Sequence, residues 1–235
     1  IEGNFIQEEW TTSYDFDKKG ITLDLNGKTM LSTSGSTLMG PLIGFYIKLG
    51  AELTIKDSVG TGMILAPNAE VVISCYGVIN IYGGTIQSQY TSGLSDALRV
   101  NGRANIYGGT ISSATNYYYP DFGYFGNNGL NNCGVTYIYG GTFSCQVKDE
   151  YYNGAIANSG SLYIMDNIIT QGLYWTNDNS GVTQTIISVA EGKTLTVDGA
   201  YSLNPANSKP IVLNGNAIYT DEDGNIAIIY TELDE

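Results

Sequence analysis

The chain contains no histidine. That removes the commonest general base, the Ser–His and Cys–His nucleophile pairs, and histidine-based zinc or iron sites. Charge is also scarce: 14% of residues are charged, well below the usual quarter. Basic residues are fewest, ten Lys and Arg against 23 Asp and Glu, for a net charge of −13. A nucleic-acid partner is excluded on this ground, because phosphate binding needs a basic footprint. An anionic membrane surface is disfavoured for the same reason. No apolar run is long enough for a transmembrane helix, so membrane insertion is not expected. Cysteine is limited to Cys75, Cys133 and Cys145. They form no CxxC pair and cannot all be bridged, so this is no disulfide scaffold. Buried free thiols are the expected state, with a Cys133–Cys145 pair left open. No signal peptide is read in these residues, and a removed signal or an upstream domain is the expectation. The chain starts at Ile1 rather than Met, which sets the expectation of a piece cut from a longer protein.

What the 235 residues do contain is 43% hydrophobic side chains together with 21 Asn, 22 Thr and 30 Gly. The apolar share supports a core. Gly and Asn tolerate turns, and Thr favours strands, so the composition predicts an all-β chain with many tight turns.

An internal repeat then narrows the fold. It is clearest in Asn80-Ile-Tyr-Gly-Gly-Thr-Ile86, Asn105-Ile-Tyr-Gly-Gly-Thr-Ile111 and Tyr137-Ile-Tyr-Gly-Gly-Thr-Phe143. Weaker copies are Leu23-Asp-Leu-Asn-Gly-Lys-Thr29, Leu53-Thr-Ile-Lys-Asp57, Leu162-Tyr-Ile-Met-Asp166 and Leu195-Thr-Val-Asp-Gly199. The aligned apolar positions are Leu25, Ile55, Ile81, Ile106, Ile138, Ile164 and Val197, spaced by 25 to 33 residues. A glycine precedes each site after the first: Gly50, Gly77, Gly102, Gly134, Gly160 and Gly192. Before it comes a short apolar strand, as in Phe45-Tyr-Ile47, Val71-Val-Ile73, Leu98-Arg-Val100 and Ile186-Ile-Ser-Val189. No helical period interrupts the pattern.

Each unit therefore reads as strand, glycine turn, strand, Gly-Gly turn, short strand and variable loop. That is one coil of a right-handed parallel β-helix, a solenoid of about seven or eight coils with terminal caps. At ~4.8 Å per coil the rod is on the order of 35 Å long. Strand alternation predicts Ile81, Ile106 and Ile138 as an inner ladder and Tyr82, Tyr107 and Tyr139 as an outer one. Residues 1–20 lack the repeat and are expected to form an N-terminal cap. Residues 21–199 carry the coils. Residues 200–235 form a C-terminal cap, with Asp221-Glu-Asp-Gly-Asn225 as a hairpin turn. A β-sandwich is the competing architecture, but it predicts no fixed repeat.

Ile21-Thr-Leu-Asp-Leu-Asn-Gly-Lys-Thr29, Leu53-Thr-Ile-Lys-Asp-Ser58 and the three Ile-Tyr-Gly-Gly-Thr copies resemble the β-helix repeats of large bacterial surface proteins, pectin-lyase-like in fold. The resemblance covers residues 20–200. It implies that fold and leaves open polysaccharide lyases, hydrolases and adhesins. The hydrolase signatures of that superfamily (Asn-Thr-Asp, paired Asp, Gly-His-Gly, Arg-Ile-Lys) are absent. Its lyases use clustered carboxylates on calcium with an Arg or Lys base, whereas the two arginines here, Arg99 and Arg103, lie in one coil. Asp57, Asp166 and Asp198 fall at corner positions of non-adjacent coils, where Asp commonly caps a turn. No catalytic residue, metal site or cofactor is expected.

The loop after the Gly-Gly-Thr strand is the feature that suggests a ligand. It carries Tyr90, then Tyr117, Tyr118 and Tyr119, then Tyr151 and Tyr152, then Tyr174 and Trp175. Stacked coils would raise these aromatics on one edge of the rod. The longest loop, Asn116-Tyr-Tyr-Tyr-Pro-Asp-Phe-Gly-Tyr-Phe-Gly-Asn-Asn128, adds Asp121, Phe122 and Tyr124. Aromatic faces beside amides and carboxylates suit sugars and also protein partners, and equally suit packing of the loop on itself. Thr85, Thr110 and Thr142 are expected to line a solvent-facing strand ladder. The reading is a non-catalytic extracellular or cell-surface module that binds a glycan or a surface protein through Tyr117, Tyr118, Tyr119, Asp121, Phe122, Tyr124, Tyr151, Tyr152, Tyr174 and Trp175. The alternatives are a lyase or glycosidase with a non-standard acidic site, and a filament subunit that self-associates through its end strands.

Overall fold

Short strands with Gly at most corners close into coils because each β-strand must pair both its edges, and a stack of similar coils does this by repetition. The computed structural model describes residues 5–7, 14–32, 43–90, 93, 95–113, 127–145, 155–175, 186–197, 201–203, 212–214, 216–220 and 226–230. It contains three parallel sheets of eight strands each, visited in turn by the chain.

The first sheet runs through Phe5–Gln7, Thr29–Ser32, Met63–Leu65, Thr85–Ser88, Thr110–Ser113, Thr142–Cys145, Ile168–Thr170 and Leu195–Val197. The second runs through Tyr14–Phe16, Ile43–Ile47, Val71–Cys75, Ser95–Val100, Asn127–Asn132, Ile156–Asn158, Leu173–Trp175 and Tyr201–Leu203. The third runs through Ile21–Asp24, Glu52–Lys56, Val78–Ile81, Arg103–Ile106, Val135–Ile138, Ser161–Ile164, Ile186–Val189 and Val212–Asn214. The fold is an all-β parallel β-helix.

Register builds the core. On the third sheet Leu23, Ile55, Ile81, Ile106, Ile138, Ile164 and Val189 pair in one column. From Ile55 to Val189 these side chains are buried, each contributing about 1.5–3 kcal/mol by leaving water. Two sequence assignments are corrected. Leu23, not Leu25, pairs with Ile55; Leu25 is buried at the corner just beyond the strand, its N–H donating to the Lys56 carbonyl at 2.8 Å. Val189, not Val197, pairs with Ile164, and Val197 lies on the first sheet opposite Thr170. The confusion arises at Gly192. It occupies the corner between the third and first sheets with φ 71, as Gly27 does with φ 71. Both corners close alike, Lys28 N–H to the Leu25 carbonyl at 2.9 Å and Lys193 N–H to the Ala190 carbonyl at 3.0 Å.

The corner between the second and third sheets is a glycine column. A Cβ at Gly102 would run into the Gly77 carbonyl oxygen, one at Gly134 into that of Gly102, and one at Gly160 into that of Gly134. Close approach, rather than a left-handed φ, demands glycine here. In the Gly-Gly corners the second glycine also has positive φ, 87 at Gly84, 94 at Gly109 and 108 at Gly141. Inside the rod, the column of Cys75 and Val100 continues as Asn132 and Asn158. These buried amides satisfy one another: Asn132 Nδ2 donates to Asn158 Oδ1 at 2.7 Å, and Thr136 Oγ1 to Asn132 Oδ1 at 2.8 Å.

The ends differ from the expected boundaries. Within residues 1–20, Tyr14 and Phe16 pair in parallel with Phe45 and Ile47, and Phe5 with Met30, so the sheets extend into that segment. Tyr201–Leu203 and Val212–Asn214 likewise continue the second and third sheets. The expected hairpin is present, Asn216–Thr220 antiparallel to Ile226–Tyr230. It lies beside the last strands of the first and third sheets. Its turn, residues 221–225, lies outside the described residues.

Candidate functional site

Of the residues singled out as ligand-binding, Tyr117, Tyr118, Tyr119, Asp121, Phe122, Tyr124, Tyr151 and Tyr152 lie outside the described residues. Tyr174 and Trp175 are not on a loop. They belong to the strand Leu173–Trp175, paired with Ala157 and Asn158 on one side and with Ser202 and Leu203 on the other. The reason is that the variable connection shrinks in this coil to Gln171 and Gly172, between Thr170 and Leu173.

The described aromatic surface is instead the outward side of the third sheet. Backbone bonds from Tyr82 to the Ile55 carbonyl, Tyr107 to Ile81 and Tyr139 to Ile106, at 2.7–2.8 Å, hold the three tyrosines in register. Because coil spacing is near that of paired strands, the rings are forced into a stack. Tyr82 and Tyr107 centroids are 4.5 Å apart at 7°, and Tyr107 and Tyr139 are 4.7 Å apart at 10°. Tyr82 is 55% exposed and Tyr107 41%.

The neighbouring outward column is Thr54, Asn80, Asn105, Tyr137 and Tyr163. Asn105 Nδ2 donates to Asn80 Oδ1 at 2.8 Å, and Asn80 Nδ2 donates to Glu52 Oε1 at 3.0 Å. Tyr137 stacks on Tyr163 at 4.7 Å, with the Arg103 guanidinium 4.8 Å from the Tyr137 ring centre. Polar and aromatic groups thus repeat along one side of the rod, with the one guanidinium of Arg103 beside them. The signal was present in the sequence as the Asn-Ile-Tyr-Gly-Gly copies. Thr85, Thr110 and Thr142 also pair in register on the first sheet.

The corner carboxylates are occupied by the fold. Asp57 Oδ1 accepts the Gly27 N–H at 2.7 Å and Oδ2 accepts that of Gly62 at 2.5 Å. Burial alone would push its carboxyl up, but donors from Gly27, Gly62, Val59 and Gly60 outweigh this and hold it below the ordinary range. Asp166 accepts Lys193 Nζ at 2.7 Å, which holds its carboxyl low. Asp198 lies outside the described residues.

A second cluster was missed. Asp96, 1% exposed, lies on the second sheet and takes Arg99 Nε at 2.8 Å and Arg99 Nη2 at 2.6 Å on one oxygen, Oδ2. Asn131 Nδ2 reaches the same oxygen at 2.9 Å, and Asn128 Nδ2 reaches Oδ1 at 2.9 Å. Asp96 is therefore spent on neutralising Arg99 and tying two coils together. Burial raises the carboxyl of half-buried Glu70, Arg99 lowering it and Asp96 raising it. Only register could have revealed this cluster, since Asp96 pairs with Asn128 and Arg99 with Asn131.

The cysteines are free. Cys75 is buried and Cys145 half-buried, and burial pushes both thiols up to about 12. Cys133, expected to be buried, is exposed because it follows the strand on the outside of the corner. Comparisons with family models, curated proteins and solved structures each find no match for this chain.

Proposed function

We propose that the chain is a non-catalytic, extracellular β-helix module of a bacterial surface or secreted protein, pectin-lyase-like in its repeats, that binds a glycan along one side. The observation that carries this reading is the exposed tyrosine column beside the Asn80–Asn105 amide ladder. A phenol recurs in three successive coils there, and in two of them an amide lies beside it. A polymer with regularly spaced hydroxyls can hydrogen-bond to such a series. The net charge of −13 favours a neutral glycan over a polyanionic one. The loop aromatics Tyr117, Tyr118, Tyr119 and Phe122 are a second contact in this proposal. Corner duty for Asp57 and Asp166 supports the non-catalytic reading.

An array of neutral and acidic polysaccharides tests it, with release of reducing ends and unsaturated products measured alongside. Binding of a neutral glycan without product is expected. Replacing both Asn80 and Asn105 by Ala should weaken it about tenfold, one good hydrogen bond's worth. Product release would establish instead the lyase or glycosidase alternative. Failure of every glycan to bind would overturn the reading.

A structural subunit is the second reading. The strands Phe5–Gln7, Tyr14–Phe16 and Ile21–Asp24 are terminal in their sheets, whereas the hairpin lies beside the opposite end. Such an edge can take a second copy. Concentration-dependent filaments in sedimentation would favour it.

A further inference from the structure

We propose that the column Tyr82–Tyr107–Tyr139 is an oxidative modification site, at which hydrogen peroxide and a haem peroxidase join neighbouring tyrosines of successive coils into dityrosine. This does not rest on the glycan reading. It rests on three observations. The rings are nearly parallel, at 7° and 10°, with centres 4.5 and 4.7 Å apart. Two rings joined by a single carbon–carbon bond have centres about that far apart, so coupling needs a rotation of the rings and little displacement. Tyr82 and Tyr107 are exposed, so their phenols are open to the oxidised peroxidase. Their backbones are held by the coil register, which keeps the partners together and makes coupling within one chain faster than between chains.

The chemistry balances without any other reactant. Each of two phenols gives up its hydroxyl hydrogen as a proton and an electron. The two phenoxyl radicals couple at carbons ortho to oxygen. Each of those carbons then passes its hydrogen to the ring oxygen, restoring two phenols. The pair has lost two hydrogens, and one peroxide has taken them up to become two waters. The product is a covalent tie between consecutive coils in a chain whose described cysteines form no disulfide.

Tyr46 and Tyr76 supply an internal contrast. Their rings are 5.4 Å apart and tilted by 53°, and Tyr76 is 43% exposed. Exposure alone would make Tyr76 as reactive as Tyr107. Stacking and exposure together single out Tyr82 and Tyr107, since Tyr137 and Tyr163 stack alike at 4.7 Å but are only half-exposed.

The test treats the whole chain, at low concentration, with peroxidase and peroxide, then digests the monomer fraction with trypsin. Tyr82 leaves in the peptide 57–99, and Tyr107 in the peptide 104–148. The expected product is these two peptides joined, two hydrogens lighter than their sum, with the link assigned to Tyr82 and Tyr107 by fragmentation. Tyr82→Phe and Tyr107→Phe should each abolish that species while Tyr76→Phe leaves it. Phenylalanine keeps the ring, and circular dichroism checks the fold. A link at Tyr76 or Tyr90, links found only between chains, or an unchanged yield in Tyr82→Phe would overturn the proposal. Should the variants fail to fold, the assignment in the unmodified chain decides by itself.

Discussion

Arg99 places both its Nε and its Nη2 on a single oxygen of Asp96, at 2.8 and 2.6 Å, and the carboxylate beneath is 1% exposed. A pair buried this deeply is asymmetric in its energetics: removing one member leaves an uncompensated charge, whereas removing both does not. Asp96→Ala is expected to cost about 3–5 kcal/mol. The double replacement of Asp96 and Arg99 by Leu should cost less than that single change. Urea denaturation of the three forms measures it, and a double mutant at least as unstable as Asp96→Ala would show that the pair matters through shape rather than charge.

Two glycines separate crowding from backbone conformation. Gly102→Ala would drive a Cβ into the Gly77 carbonyl oxygen, and we expect a loss of about 3 kcal/mol, at the upper end for overpacking. Gly50 has φ 82 and a Cβ added there would meet nothing within 4 Å, so Gly50→Ala should cost about 1 kcal/mol from the left-handed backbone alone. Equal losses in thermal or urea unfolding would refute the distinction.

Ile138 is fully buried in the third-sheet ladder, between Ile106 and Ile164. Ile138→Ala removes part of that ladder and should cost about 2–5 kcal/mol, since a rigid stack relaxes poorly around a cavity. A loss below that range in urea unfolding would mean that the coils close up around the gap.

Acid should loosen the corners. The Ser58 backbone donor, with further help from Asn26 and Lys56, lowers the Asp24 carboxyl from 3.8 to about 2, and Asp57 and Asp166 are also held low. Groups lowered by folding contribute stability that is present above their unfolded pKa and lost as pH falls through the folded one. The thermal midpoint should therefore drop between about pH 4 and 2, and Asp24→Asn should flatten that drop. Glu70 runs the opposite way. Its raised carboxyl opposes folding once it ionises, so Glu70→Gln should raise the midpoint at neutral pH. A midpoint unchanged by Glu70→Gln at pH 7 would contradict this.

Thiol alkylation of the native protein at neutral pH should modify Cys133 alone. Cys75 and Cys145 carry thiols raised to about 12 by burial and are nearly without thiolate. Mass spectrometry should count one adduct before unfolding and three after it. Native labelling at Cys145 would mean that its strand opens readily.

The coil itself was legible in the residues. Glycine and asparagine punctuation, together with three Asn/Tyr-Ile-Tyr-Gly-Gly-Thr copies, determines where the strands bend, because only glycine tolerates both the positive φ of Gly84 and the close carbonyl contact of Gly102. Alternation likewise determined that Ile81, Ile106 and Ile138 point inward and that Tyr82, Tyr107 and Tyr139 form an outer ladder. Tertiary structure decided register at the ends and the company each side chain keeps. Apolar-x-apolar triplets recur on all three sheets, so Leu195-Thr-Val197 looks like Leu53-Thr-Ile55 although they belong to different faces. Pairing with Ile164 selects Val189 instead. The Asp96–Arg99 cluster was hidden because its partners come from the next coil, 32 and 35 residues away. Local pattern sets each turn of the chain and puts Arg99 three residues from Asp96, but the amide donors that complete the buried carboxylate's partners exist only once the coils are stacked.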